Sequence, residues 1–161
     1  MMLGDYLFKR AAEEERDFQG IPIVVEWEKG STRTGTSPDG KPWKRKMLAD
    51  YGYIEDTRSR GDDEPVDVYL GPDRNAPTAF IVDQLKADGS FDEVKIILGF
   101  EKEEAARACY LQHYPDGWES RIGDIWELPV KRLAELVDAE QTAIEQTAGE
   151  EADRQEQSGT R

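Results

Sequence analysis

Tyr51-Gly52-Tyr53-Ile54, followed by Asp62-Asp63-Glu64-Pro65-Val66-Asp67-Val68, is the stretch that decides how this chain is read. The segments 51–56 (YGYIED) and 65–70 (PVDVYL) mix aromatic and β-branched residues between Gly, Asp and Pro, which predicts two strands joined by a turn. The turn and the start of its second strand carry Asp62, Asp63, Glu64 and Asp67. Carboxylates this close raise one another's pKa, because each negative charge disfavours the next. A solvated surface turn tolerates that repulsion. The functional alternative is neutralisation by a divalent cation, and hard oxygen donors select Mg²⁺, Mn²⁺ or Ca²⁺.

Downstream lies a second acidic group, Asp88-x4-Glu93-x-Lys95. It spans a hairpin signal at 87–91 (ADGSF) between predicted strands 78–85 and 92–98. Alternation along the second strand puts Glu93, Lys95 and Ile97 on one face. A carboxylate beside an ammonium suits a metal and the anion bound to it; a solvent-exposed face is the competing explanation. Upstream, 21–28 (IPIVVEWE) reads as a strand. Residues 29–46 read as loop, punctuated by Gly30, Gly35, Pro38, Gly40 and Pro42. Lys29, Arg33, Lys41, Lys44, Arg45 and Lys46 gather in that loop, either as a solvated basic segment or as an anion site. Two acidic groups for metals and a basic loop for anions point to a phosphoryl substrate, for which metals activate water and cations neutralise the remaining oxygens.

Helices are expected at 3–16, 101–113 and 130–146, and a further strand at 122–128. Many short strands with helices toward the end predict an α+β fold with a barrel-like or strongly bent sheet. The expected organisation is an N-terminal helical extension (1–20), one domain (21–146) and a disordered polar tail (147–161).

The 161 residues carry 21 Lys+Arg against 35 Asp+Glu, a net charge of −14. That balance disfavours nucleic acid bound by neutralising many phosphates, and an anchor on anionic lipid. No apolar run approaches the roughly 20 residues of a spanning helix, so no membrane partner is expected. The N-terminal residues lack a secretory pattern, and the sole cysteine, Cys109, forms no intrachain disulfide; both suggest a cytoplasmic setting. Gly35 to Lys41 spells the phosphate-loop pattern, but Pro42 stands where that site needs a Ser or Thr hydroxyl. Cys109 and His113 lie one helical turn apart, too few donors for a structural zinc site. His113 is read as a surface or capping residue.

In order and spacing, YGYI and DDEPVD resemble the signature of soluble family I inorganic pyrophosphatases, YGYI followed by D-x-D-P-x-D. Asp88-x4-Glu93-x-Lys95 resembles that family's D-x4-D-x-K, and residues 113–118 (HYPDGW) its HYK…KW segment. The loop GSTRTG…PDGKPW (30–43) and FDEVKIILGF (91–100) look closer still to a pyrophosphatase-like domain of phage and prophage proteins. The similarity spans roughly 21–128.

The resemblance implies a five-stranded OB-like β-barrel with helices packed outside, and Mg²⁺-dependent hydrolysis of pyrophosphate, with Mn²⁺ as substitute. It assigns Asp62, Asp67, Asp88 and Glu93 to metal, Glu64 to the base that deprotonates water, and Tyr51, Lys95 and Tyr114 to substrate. Asp67 serves the catalytic group as well as the metal. Three residues depart from the pattern. Glu64 replaces an Asp, moving the carboxylate outward by about one bond, ~1.5 Å. Glu93 also replaces an Asp, and Pro115 replaces a phosphate-binding lysine. Arg33 and one of Lys41, Lys44 or Arg45 supply the missing charge, with Lys44 taken as that residue. These departures predict a weakened or altered activity.

Two other functions compete. A metal-dependent nuclease of the PD-(D/E)xK type fits Pro65-Val66-Asp67 with Glu93-Val94-Lys95, though the net charge opposes it. A non-catalytic phage structural or injected protein would keep the fold for binding. Its partners would be phage structural proteins or a second copy of the chain, and its location a virion.

Overall fold

A computed structural model describes residues 13–57 and 64–139. The elements in chain order are β1 (Glu14–Phe18), β2 (Ile21–Trp27), β3 (Thr32–Thr36), β4 (Pro42–Lys46), β5 (Asp50–Ile54), β6 (Asp67–Leu70), β7 (Thr78–Leu85) and β8 (Phe91–Leu98). Helix α1 (Glu103–Leu111), a 3₁₀ turn (Trp118–Arg121), β9 (Ile122–Pro129) and helix α2 (Val130–Ala139) follow. The expected tail and the first twelve residues lie outside the described residues, as do Asp62 and Asp63.

One sheet runs β1-β2-β5-β6-β8-β7-β9, and β3-β4 form a separate hairpin. Strand pairs in the large sheet are antiparallel except β6 with β8, which run parallel. The α+β reading holds. The large sheet has seven strands, where a five-stranded barrel was expected, and its end strands β1 and β9 are not paired with each other. Its curvature is nonetheless strong. A single apolar cluster takes Phe18, Ile23, Ile54, Val68, Ile96, Ile81 and Trp126, one side chain from each of the seven strands. α2 adds Leu133 and Leu136 to that cluster and touches β2, β7 and β9, so the helix plugs the concave side.

The opposite face carries Tyr51, Tyr69, Phe80, Val82 and Ile97, covered by Ala106, Cys109 and Tyr110 of α1. Acids open α1 at Glu103 and Glu104, where the helix dipole favours negative charge. No helix among the described residues is long and apolar enough to cross a membrane.

Two expectations are corrected. Residues 14–18 form a strand, not the end of a helix. Gln19 (φ 51°) and Gly20 (φ 92°) both adopt positive φ, and this two-residue turn folds 14–18 back onto β2 with Phe18 opposite Ile21. Pairing with an apolar strand outweighs the weak helical pattern of a charged run. Residues 29–46 are not all loop. Their Thr, Arg and Lys residues alternate as a polar hairpin, in which apolar periodicity is missing and the strand signal is hidden.

Gly52, within the YGYI stretch, marks the tightest strand approach. A Cβ there would stand 1.8 Å from the Val24 carbonyl oxygen. Backbone cannot swing aside as a side chain can. Gly52→Ala is therefore expected to cost about 1–3 kcal/mol or more. Urea unfolding measures it, and an unchanged midpoint would contradict this packing.

Candidate active site

The parallel register of β6 and β8 sets Asp67 directly beside Lys95. Alternation puts Glu93 on the same face, and β5 brings Tyr51 to it. Lys95 Nζ donates to Asp67 Oδ2 at 2.6 Å and to the Tyr51 hydroxyl at 3.0 Å, and pairs with Glu93 Oε1 at 2.8 Å. The Lys95 side chain is only 6% exposed, so the solvent-exposed face considered from sequence does not apply. Burial opposes its charge, but Tyr51, Tyr114, Asp67 and Glu93 together hold the ammonium pKa well above its ordinary value. Burial pushes the Glu93 carboxyl upward, against the pull of Lys95.

A depression of about 460 Å³ opens on one side of this group, lined by Glu13, Glu26, Glu64, Asp67 and Glu93. Glu26 shares its face of β2 with Val24, which pairs with Tyr53, and it sits where the register to β5 slips between Val25 and Trp27. A second depression of about 390 Å³ shares Arg33, Glu93 and Lys95 with the first. Its remaining wall includes Trp43, Arg45, Gln84, Tyr114, Pro115 and Trp118. One trough thus has an acidic half and a cationic, aromatic half.

The β3-β4 hairpin supplies the cations. Arg33 pairs across with Arg45, and Gly35 with Trp43, on the half-buried face. A Cβ on Gly35 would stand 2.2 Å from the Trp43 ring, so the indole lies flat over a position only glycine leaves empty. The Arg33 guanidinium sits 4.3 Å from the Tyr51 ring centroid, and that of Arg45 4.6 Å from Tyr114 and 4.8 Å from Trp43. Burial works against the charge of Arg33, yet Tyr51, Tyr69, Tyr114 and Asp67 outweigh it and raise its pKa. Lys44 falls on the exposed outer face of the hairpin, so the structure brings Arg45, not Lys44, to the trough.

Of the other residues singled out from sequence, Glu64, Asp67, Glu93, Arg33, Lys95 and Tyr114 line the trough, and Tyr51 contacts Lys95. Asp62 lies outside the described residues. Asp88 is not brought to the group: it occupies the β7-β8 turn, accepts from Ser90 N at 2.9 Å and Ser90 Oγ at 2.6 Å, and those bonds lower its pKa. Glu26, Trp43 and Trp118 were not anticipated. Alternation puts Glu26 on one face with Val24, but only the pairing of β2 with β5 shows that this is the face carrying Tyr51 and Tyr53.

His113 is buried, which corrects the expectation of a surface residue while keeping its capping role. Its Nδ1 bonds the Cys109 carbonyl at 2.6 Å, and its Nε2 accepts from Leu48 N at 2.9 Å. The ring therefore pins the segment between Arg45 and Tyr51 to the end of α1.

Carboxylate oxygens line the acidic half, with neither sulfur nor imidazole among them. That donor chemistry fits Mg²⁺ in kind. Among the described residues, no three Asp, Glu, His or Cys side chains converge tightly enough to enclose an ion.

Compared with known proteins, residues 5–138 match the sequence model of a family described as Inorganic Pyrophosphatase. No curated protein and no solved structure matches the chain.

Two outcomes follow from this geometry. Lys95→Met strands two half-buried carboxylates and is expected to cost about 3–5 kcal/mol in urea unfolding, partly regained by adding Asp67→Asn and Glu93→Gln. A loss of only about 1 kcal/mol would mark the pair as solvated. For His113, burial is the leading cause of a pKa below the usual 6.5, joined by Arg45 and Arg33. A depressed base binds fewer protons folded than unfolded, so its stabilisation is present above pH 6.5 and lost as pH falls through the folded value. His113→Gln should remove that part of the acid dependence of Tm; an unaltered profile would contradict the assignment.

Proposed function

The chain belongs to the inorganic pyrophosphatase family, and from that premise we propose that it hydrolyses pyrophosphate, or a related phosphoanhydride, with Mg²⁺. The observation that carries this reading is the buried Lys95 ammonium paired with the half-buried Asp67 and Glu93, standing where an acid-lined wall meets a wall of guanidiniums.

Asp67 and Glu93, with Asp62 five positions earlier in the chain, would hold the cation, and Glu26 lines the same wall. Bound there, Mg²⁺ supplies Lewis acidity, drawing charge from phosphoryl oxygens and easing ionisation of water. The chain's own groups do the rest. Glu64, on the acidic wall, takes the proton of the attacking water. The water oxygen bonds to one phosphorus and the bridging P–O bond breaks, giving two phosphates. Lys95, Arg33 and Arg45 neutralise the charge on the departing phosphate, and the Tyr51 and Tyr114 hydroxyls orient its oxygens. No covalent intermediate is required, which suits a site without an activated nucleophile. Cys109 is accordingly unsuited to attack, since burial holds its thiol protonated with a pKa pushed up to about 12.

The nuclease reading uses the same Asp67, Glu93 and Lys95. The family membership and the two guanidiniums over the site favour a phosphoanhydride instead.

Purified protein is expected to release phosphate from pyrophosphate with Mg²⁺ or Mn²⁺, and to stop when EDTA is added. Asp67→Asn should lower the rate by at least about 10²-fold while the circular dichroism stays unchanged. Full turnover by that variant would overturn the site. Cleavage of DNA without phosphate release from pyrophosphate would transfer the reading to the nuclease.

A further inference from the structure

Trp43 lines the cationic half of the trough, yet the chemistry proposed above leaves it without a role. Its neighbours supply one. Arg33 and Arg45 are direct partners across the β3-β4 hairpin, and Gly35 and Trp43 form the next pair on the same half-buried face. Like charges set opposite each other on one face repel, and both side chains are long and flexible. In a chain of net charge −14, such cations have many carboxylates to turn to. Among the described residues, neither forms an ion pair with one.

Rings hold them instead. Arg33 lies 4.3 Å from the Tyr51 ring centroid and 5.5 Å from that of Trp43; Arg45 lies 4.6 Å from Tyr114 and 4.8 Å from Trp43. Tyr51 and Tyr114 are fixed outside the hairpin, the first by its bond to Lys95 and the second by stacking on Trp118 at 4.5 Å. They give the two guanidiniums separate anchors. Trp43 is the ring both share, and it belongs to the hairpin itself. Its indole can lie there because residue 35 has no side chain: a Cβ would stand 2.2 Å from the ring. A guanidinium resting on a ring keeps its N–H groups for an anion, whereas a carboxylate partner would consume them.

Resting on the phosphoanhydride reading above, we propose that Trp43 is a positioning residue for that reaction. Seated on Gly35, its ring holds Arg33 and Arg45 in place along the trough wall, so that a diphosphate meets two guanidiniums already ordered. Trp43 acts through the arginines and touches no reacting atom. Ordering the two long side chains beforehand removes part of the cost of binding.

The test is calorimetric titration of the full chain, in Mg²⁺, with imidodiphosphate, a diphosphate whose P–N–P bridge resists hydrolysis. Trp43→Leu is expected to weaken binding about tenfold, the size of one strong or two weak cation–π contacts. Trp43→Phe should restore part of that loss. Gly35→Ala should cause a loss of similar size by displacing the indole, and adding it to Trp43→Leu should cost little more, since the two residues act as a unit. Site-specific fluorination of the Trp43 indole keeps its shape but weakens the negative face of the ring. Successive fluorines should therefore weaken binding stepwise while Tm stays constant. A ring that merely fills space would lose affinity in Trp43→Leu and none on fluorination, and that pattern overturns the proposal. Absence of binding by the unaltered chain would bring down the phosphoanhydride reading and this proposal together. Binding indifferent to every change at Trp43 defeats this proposal alone.

Discussion

A buried ammonium between two carboxylates is the constraint on which the rest of this molecule turns. Lys95 is buried in the middle of a sheet, at a position where alternation alone would place another apolar residue. Such a charge is tolerated only with good geometry and every donor occupied. Asp67, Glu93 and Tyr51 meet that demand, each from a defined strand position. The parallel pairing of β6 with β8 is therefore more than a feature of topology. A slip of one residue would turn Asp67 to the opposite face and leave Lys95 half-neutralised.

Around that group the two faces of the sheet divide the labour. The concave face carries the larger apolar cluster and is closed by α2, with Asp83 on the same face accepting from the Trp126 indole at 3.4 Å. The other face changes character along its length. α1 covers its apolar half, and where that cover ends the β3-β4 hairpin leans over the polar half with Arg33, Trp43 and Arg45. His113 ties the two covers together by accepting from Leu48 at the end of α1, so the hairpin's approach is fixed by one buried neutral imidazole. Beneath the aromatic wall, Trp118 donates to the Tyr110 hydroxyl at 2.8 Å, and Tyr110 donates to Gln84 at 2.6 Å. These bonds hold the rings that in turn hold the guanidiniums. The guanidiniums are thus held in place by the rings, an arrangement that would lower the ordering cost of binding an anion there.

Much of this was legible in the chain. β7 lies where alternation and turn residues put it, at Thr78–Leu85, and β8 begins within one residue of its expected start. The Glu93-x-Lys95 spacing declared one shared face because the strand period is two. Other parts were hidden for identifiable reasons. The hairpin at 32–46 has no apolar side to betray its period, since its inner face is Arg, Gly and Trp. β1 carries Glu14, Glu15 and Arg16, residues that suit a helix until an apolar neighbour offers itself for pairing. Lys44 and Arg45 are adjacent and equally basic, and only the register of β4 says which of them faces inward.

What the sequence by itself determined is the chemistry: acidic groups at spacings that suit hard cations, basic residues concentrated in one segment, and strands whose alternation marks their faces. These are local properties, set by side-chain type and a period of two. What tertiary structure decided is the company each residue keeps. Parallel pairing brought Asp67 to Lys95, pairing with β5 set Glu26 on the wall that Asp67 and Glu93 share, and the register of β4 turned Arg45 rather than Lys44 to the trough. Those outcomes depend on register and curvature, which arise from packing among strands distant in the chain, and no local pattern encodes them.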